Sequence, residues 1–198
     1  MKNPRLLDGM NAANLLLHFI GETKPAASRD DSLRPGLRET PERFAKAWEE
    51  LTAGYEVEPA SVLKTFDSEG YNELILVRDI PVYSMCEHHL LPFFGVAHIG
   101  YIPKGKIVGL SKLPRLVEVF MRRLQVQERL TKEIAGALLE AVDARAVGVV
   151  LECRHMCMEA RGISVQGAVT TTSTLRGDFM GEGPARAEFL SLINNRRV

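Results

Sequence analysis

"SKLPRLVEVFMRRLQVQERLTKEIAGALLEAV", residues 111–142, is the stretch on which the fold turns. Leu113, Leu116, Val117, Phe120, Met121 and Leu124 recur at i, i+3, i+4, i+7, i+8 and i+11, which is one face of an amphipathic helix. A second helix is predicted over about 126–143, with Leu130, Ile134, Leu138 and Val142 on its apolar side. Two such helices in succession need an apolar surface to cover. Strand-like text supplies it on both sides: "LILVRDI" (74–80) and "FGVAHIGYIP" (94–103) before, "AVGVVLECRHMCMEA" (146–160) and "ISVQGAVTTTSTL" (163–175) after. "PKGK" (103–106) reads as a turn into "IVGL". Strands arrive as neighbouring pairs rather than alternating with helices. The expected fold class is therefore α+β, an antiparallel sheet packed by a helix pair, not a doubly wound sheet. A sheet this small has open edges, and such edges are usually closed by another subunit.

Outward from this region, Leu6, Leu7, Met10, Leu17 and Ile20 predict a helix over residues 5–20. "GETKPAASRDDSLRPGLRE" (21–39), rich in Pro, Ser, Gly and charge, reads as a linker. Thr40 is the expected N-cap of a further helix, with Pro41 at its first position. Phe44, Trp48 and Leu51 make its apolar stripe, and Gly54 is expected to close it. A last helix carries Phe189, Leu190 and Ile193. The expected organisation is an N-terminal helix and linker over 1–38, followed by one domain over 39–198.

The 198 residues hold 25 Lys+Arg against 25 Asp+Glu, a net charge of zero. That is not the basic footprint of a nucleic-acid binder. No apolar run approaches the ~18–20 residues that span a bilayer. The apolar stretch near the N-terminus has no small-residue cleavage site and reads as an amphipathic helix rather than a signal peptide. Three cysteines argue against a disulfide framework and for a reducing cytoplasm, where thiols serve as ligands or nucleophiles.

Those cysteines are not scattered. The chain has three Cys and five His, and six of these eight fall in two short stretches: Cys86, His88, His89 and Cys153, His155, Cys157. Cys86 and His89, at i, i+3, share one side of a helical turn, a workable chelate for Zn²⁺. Read as a strand, the second stretch projects Cys153, His155 and Cys157 to one face at ~6.6–6.8 Å per pair. One metal takes only one of them comfortably, and spacing leaves open which. Three protein ligands plus water is the arrangement of a catalytic zinc, whose water has a pKa lowered towards ~7. A closed structural zinc, with Cys153 or His155 as fourth ligand, is the alternative. His18 and His98 read as ordinary satisfied side chains.

With both clusters in view the sequence resembles the GTP cyclohydrolase I family. The likeness spans about residues 36–195 and rests on "GLRETPERFAKAWEEL", "CEHHLLPFFGVAHIGYIPKGKIVGLSKL", "QVQERLT" and "HMCMEARGI", in the family's order and spacing. It implies the tunnelling fold and a toroidal homodecamer, a dimer of pentamers whose sites lie between subunits and whose sheets close into a barrel. It also implies zinc on Cys86, His89 and Cys157, which settles the open ligand, with His88 and His155 as non-ligand active-site histidines. Cys153 matches no functional position and reads as a small buried side chain.

The reaction so implied converts GTP and water to 7,8-dihydroneopterin triphosphate and formate, feeding folate or another pterin pathway. Water adds to C8 of guanine once N7 is protonated, and His155 is placed to give that proton. His88 is assigned to later proton transfers. By the same resemblance Lys112, Arg115 and Arg161 bind the triphosphate, joined by Arg43 and Lys46. Glu128 binds guanine with Gln127 beside it, Val108 and Leu110 line the ring pocket, and Ser111 reaches the ribose. There is no G-x-x-x-x-G-K-[ST] loop. Ser111 and Lys112 instead open a helix, where backbone N–H groups favour an anion. The family often has Pro before "QVQERL" where this chain has Leu124. Two competitors are a non-catalytic zinc-binding relative, expected to lose His155 or Glu128, and a tunnelling-fold nitrile reductase, expected to lack the zinc set. This chain keeps all of these residues.

Overall fold

A computed structural model describes residues 4–22 and 33–195, so the middle of the expected linker lies outside the described residues. The chain divides into two compact units, residues 1–52 and 53–198.

The first unit is a helix pair, α1 (Pro4–Phe19) and α2 (Thr40–Leu51), with a 3₁₀ turn at Pro35–Leu37. α1 buries Ala13 and Leu17, and α2 buries Pro41 and Ala45. Gly9 permits their close approach, since a Cβ there would lie 2.8 Å from the Ala45 Cβ. Thr40 is not the N-cap. Glu39 holds that place with helical dihedrals and no side-chain cap bond, which puts the Thr40 hydroxyl inside the helix.

The second unit opens with a 3₁₀ turn (Ala53–Glu56) and α3 (Pro59–Val62), then runs β1 (Thr65–Asp67), β2 (Ile75–Cys86), β3 (Pro92–Ile102) and β4 (Lys106–Val108). The helix pair follows as α4 (Lys112–Met121) and α5 (Gln127–Val142), with β5 (Leu124–Gln125) between them. β6 (Ala146–His155), α6 (Met156–Glu159), β7 (Thr170–Gly177) and α7 (Pro184–Asn194) complete it. The main sheet has the order β5-β2-β3-β6-β7 and is antiparallel except where β5 meets β2. β4 does not continue the β3 hairpin but leaves to pair with β1. Gly54 does not close α2 either. Its N–H donates to the Arg122 carbonyl at 3.0 Å, and a Cβ there would fall 2.0 Å from the Val119 carbonyl oxygen. That glycine is required by packing, not by a helix end.

Alternation sorts the strand residues onto two faces. Phe93, Ala97, Ile99 and Tyr101 of β3 and Val147, Val149 and Leu151 of β6 meet Leu113, Leu116, Val117, Leu130, Ile134 and Leu138 in one core. Each such side chain, fully buried, is worth about 1.5–3 kcal/mol. On the opposite face α7 covers one end only. Phe189 stacks on Phe179 at 5.0 Å and lies against Gly100 and Gly148, where side chains would collide with it. Arg78 donates to the carbonyls of Leu192 (2.6 Å) and Asn195 (3.0 Å), satisfying the end of α7. At the sheet's edges β5 covers only Met85 and Cys86 of β2, and nothing pairs with the outer side of β7 among the described residues. Nor is any described helix long and apolar enough to cross a membrane.

Candidate active site

β2 ends at Cys86 and β3 starts at Pro92, so the Cys-Glu-His-His cluster is the hairpin turn between the two central strands. The Leu90 N–H donates to the Cys86 carbonyl and the Cys86 N–H to the Leu91 carbonyl, both at 2.9 Å. Closing the loop this tightly puts Leu90 at φ +52°, a left-handed backbone that a leucine adopts at a cost. The turn is also fastened from the side. The Glu87 N–H donates to the Gln125 carbonyl at 3.0 Å, and the Glu87 carboxylate pairs with Arg129. Arg129 donates in turn to Gln125 Oε1 (3.0 Å) and the Leu124 carbonyl (3.1 Å). The Arg129 hydrogen bond holds the Glu87 carboxyl below the usual carboxylate range. His88 is exposed, with its Nε2 3.8 Å from Glu87 Oε1.

The second stretch corrects the strand reading. β6 stops at His155, and Cys157 lies in the single turn of α6. A continuing strand would have carried Cys157 some ~6.6–6.8 Å onward from His155. The helical turn draws it back instead, and the ligand atoms of Cys86, His89 and Cys157 all lie within 4.8 Å of one another. Cys86 Sγ is 3.9 Å from His89 Nδ1. Tetrahedral Zn²⁺, with Zn–S ≈ 2.3 Å and Zn–N ≈ 2.0–2.1 Å, asks for about 3.6–3.8 Å between such atoms. The donor set therefore fits that metal in chemistry, and its Cys86–His89 pair fits in span. Burial, and then the neighbouring Cys86, raise the Cys157 thiol. Two crowded thiols that resist ionising together are what a divalent cation reverses. α6 is pinned by Arg154, which grips the buried Glu159 carboxylate with two hydrogen bonds of 2.8 and 2.5 Å. That grip lowers the Glu159 carboxyl.

His155, at the end of β6, stacks flat on Phe93, with ring centroids 4.8 Å apart and planes at 8°. Burial lowers its pKa, opposed by the charge of Glu128. Its Nε2 lies 2.8 Å from Gln127 Oε1. Gln127 opens α5 and is only 2% exposed, whereas Glu128 beside it stands exposed in the first turn.

The remaining sequence candidates are less gathered. Arg161 follows α6, and its charge reaches Cys157. Val108, buried, and Leu110, 64% exposed, line an apolar cavity of about 490 Å³ with Phe66, Tyr71, Ile75 and Ile107. Ser111 occupies the N-cap position of α4 without a side-chain cap bond, with Lys112 at the first helical position and Arg115 one turn on. Two of the N–H groups at this helix start are already engaged. Those of Lys112 and Leu113 donate to the Gly109 and Leu110 carbonyls, and Pro114 has none. Arg43 and Lys46 belong to the first unit, where they pair with Glu39 and Glu42 on α2.

Cys153 is buried in the core, its thiol pushed up to about 12 by burial. His98 is buried but only half satisfied. Its Nδ1 accepts from the Asp79 N–H at 3.2 Å, while Nε2 makes no hydrogen bond among the described residues and sits 3.6 Å from Glu152 Oε2. Sequence reasoning missed Glu87, Arg129, Thr131 and Thr172. Glu87 stood inside the quoted cluster, and its charge among ligands was a signal left unused. Nothing in the spacing of the other three announces contact.

The described residues thus define an α+β protein with a thiolate–imidazole metal group and a half-buried histidine two residues from one ligand, the furnishings of a metal-assisted hydrolytic enzyme. Comparison with known proteins narrows the class. The GTP cyclohydrolase I family model matches residues 22–194. "GTP cyclohydrolase 1" of Nitrosospira multiformis is 61% identical over 182 residues, covering 91% of either chain. The Corynebacterium glutamicum protein of that name is 59% identical over 166 residues, 83% of this chain and 85% of that one. The Chlorobaculum tepidum protein is 58% identical over 186 residues, 93% of this chain and 80% of that one. The chain belongs to the GTP cyclohydrolase I family, and its α+β architecture is the tunnelling fold.

Proposed function

We propose that the chain converts GTP and one water to 7,8-dihydroneopterin triphosphate and formate, with Zn²⁺ on Cys86, His89 and Cys157. The observation that carries this reading is the meeting of those three donors within 4.8 Å from two distant stretches, in a chain of this family. Bound there, Zn²⁺ supplies the Lewis acidity that makes a water nucleophilic at neutral pH.

The chain's own residues do the rest. Glu128, an exposed carboxylate, accepts from N1–H and N2–H₂ of guanine and fixes the base in register. His155 carries a proton to N7, which makes C8 electrophilic and lets water add there. Ring opening leaves a formamide, whose hydrolysis by a second water releases formate, and the freed amine condenses with the carbonyl of the rearranged ribose into the pterin ring, expelling one water. His88, exposed with Nε2 near Glu87 and Nδ1 4.0 Å from Cys86 Sγ, serves the later proton transfers. Lys112, Arg115 and Arg161 take the triphosphate through side-chain charge, the Lys112 and Leu113 amides being engaged. Arg43 and Lys46 are assigned to the same task on the family pattern alone. The bare edges of β2 and β7 favour a homo-oligomer, and the family pattern specifies a decamer.

The test is formate release and pterin fluorescence from GTP by purified protein, before and after chelation and zinc restoration. Stoichiometric formate that vanishes with chelation and returns with zinc supports the reading. Metal-replete, assembled protein that releases none refutes it and leaves a non-catalytic zinc-binding subunit.

A further inference from the structure

We infer that Gln127 is a positioning residue rather than a substrate ligand, and that its carboxamide fixes the proton of His155 on Nε2, so that Nδ1 is the atom that exchanges protons with substrate. The inference rests on the proposed role of His155 and deepens it.

The orientation of the amide can be assigned, its two Nε2 hydrogens being shared among three acceptors. Gln127 Nε2 faces the backbone carbonyls of Leu151 (3.1 Å) and Thr170 (2.9 Å) and the hydroxyl of Thr172 (3.1 Å). A carbonyl can only accept, so Nε2 must be the amide nitrogen. The flipped rotamer would press Oε1 against two carbonyl oxygens. The hydroxyls agree. Thr131 donates to the Gln127 carbonyl at 2.7 Å, which leaves its lone pairs to accept from Thr172, also at 2.7 Å. With its hydrogen committed to Thr131, Thr172 presents a lone pair to Gln127 Nε2. The amide is thereby locked from α5, β6 and β7 together.

Its oxygen then has one direction left. Oε1 lies 2.8 Å from His155 Nε2, and being an acceptor it requires Nε2–H. Phe93, stacked flat on the ring, holds the imidazole plane in which Nε2 faces Oε1. Nδ1 makes no hydrogen bond among the described residues, and it takes a proton from water before passing one to N7. Gln127 is only 2% exposed and both amide hydrogens are engaged, so it has no donor to offer guanine.

The experiment uses full-length, zinc-loaded protein labelled with ¹⁵N-histidine, and the His155 signal is identified by its loss in His155→Ala. The expected spectrum shows His155 as the Nε2–H tautomer with a bare Nδ1. Gln127→Met, close in shape but without the amide, is expected to release it to a tautomer mixture. Turnover should fall by about 10–10² with KM for GTP changed less than about twofold. An Nδ1–H tautomer in the unmodified protein overturns the inference, as does Gln127→Met that raises KM with kcat unchanged. If Gln127→Met fails to fold, Gln127→Asn keeps the amide but withdraws it from His155 and should loosen the tautomer to a smaller extent. An unchanged His155 signal in Gln127→Asn would count against the lock. The spectrum is independent of turnover, so absence of formate from the unmodified protein would refute the function while leaving the tautomer assignment to stand or fall alone.

Discussion

The hairpin turn with its neighbours in α5, β6 and α6, and the entry to α4, contrast sharply. Around Cys86, His155 and Gln127 most polar side chains are held by another: Glu87 by Arg129, Glu159 by Arg154, His155 by Gln127, Gln127 by Thr172. At the α4 entry, Lys112 and Arg115 make no side-chain hydrogen bond or ion pair among the described residues, and Leu110 and Ser111 stand exposed. One region is organised before anything binds, and the other is left to be organised by what binds. Bond-making chemistry requires donors fixed to within fractions of an ångström, whereas holding a flexible polyanion requires charge within reach.

The sharpest way to break this contrast is to remove a ligand. Cys157→Ala should lose bound zinc by elemental analysis, and turnover should fall by at least ~10³-fold. Metal and turnover that both survive would mean that the donor set is misread. His155→Ala separates chemistry from metal: zinc content is expected to stay while kcat falls about 10²–10⁴-fold. Arg129→Ala tests whether the side fastening of the turn matters, with zinc affinity lowered by about tenfold, at the lower end of what supporting groups contribute. At the other region, Lys112→Ala and Arg115→Ala are expected to raise KM several-fold with kcat nearly unchanged, and to weaken the salt dependence of KM.

The smallest effect concerns pH. Arg154 depresses the Glu159 carboxyl, so the pair stabilises the fold above the unfolded carboxyl value of ~4.3 and loses that contribution as pH falls through the lower folded value. Glu159→Gln should melt a few degrees lower near neutrality, and the two melting curves should converge in acid. Curves that stay parallel would show that the pair does not stabilise the fold.

Much of this was written in periodicity. The two helices, the paired strands and the donors Cys86 and His89 follow from spacing, because they depend on local repeats of 3.6 or 2 residues. Cys157 does not, since whether "HMCM" continues a strand or turns into α6 is decided by where Arg154 can grip Glu159. β4 reads like a hairpin partner and instead pairs with β1, a choice that only tertiary geometry makes. Gln127 and Glu128 are adjacent polar residues with opposite fates, one buried and saturated, the other exposed, and composition cannot separate them. Pro114, with no N–H, was legible as one amide fewer for an anion at the start of α4.

The left-handed Leu90 carries a consequence for motion. Its backbone costs roughly 1–2 kcal/mol relative to a relaxed leucine, and the two bonds that hold it share Cys86 as donor and acceptor. Neither can break without inviting the other, so the turn behaves as a latch with a single hinge pin rather than a loop that frays residue by residue. Hydrogen exchange at the Cys86 and Leu90 amides should therefore proceed at one common rate, the signature of a single concerted opening.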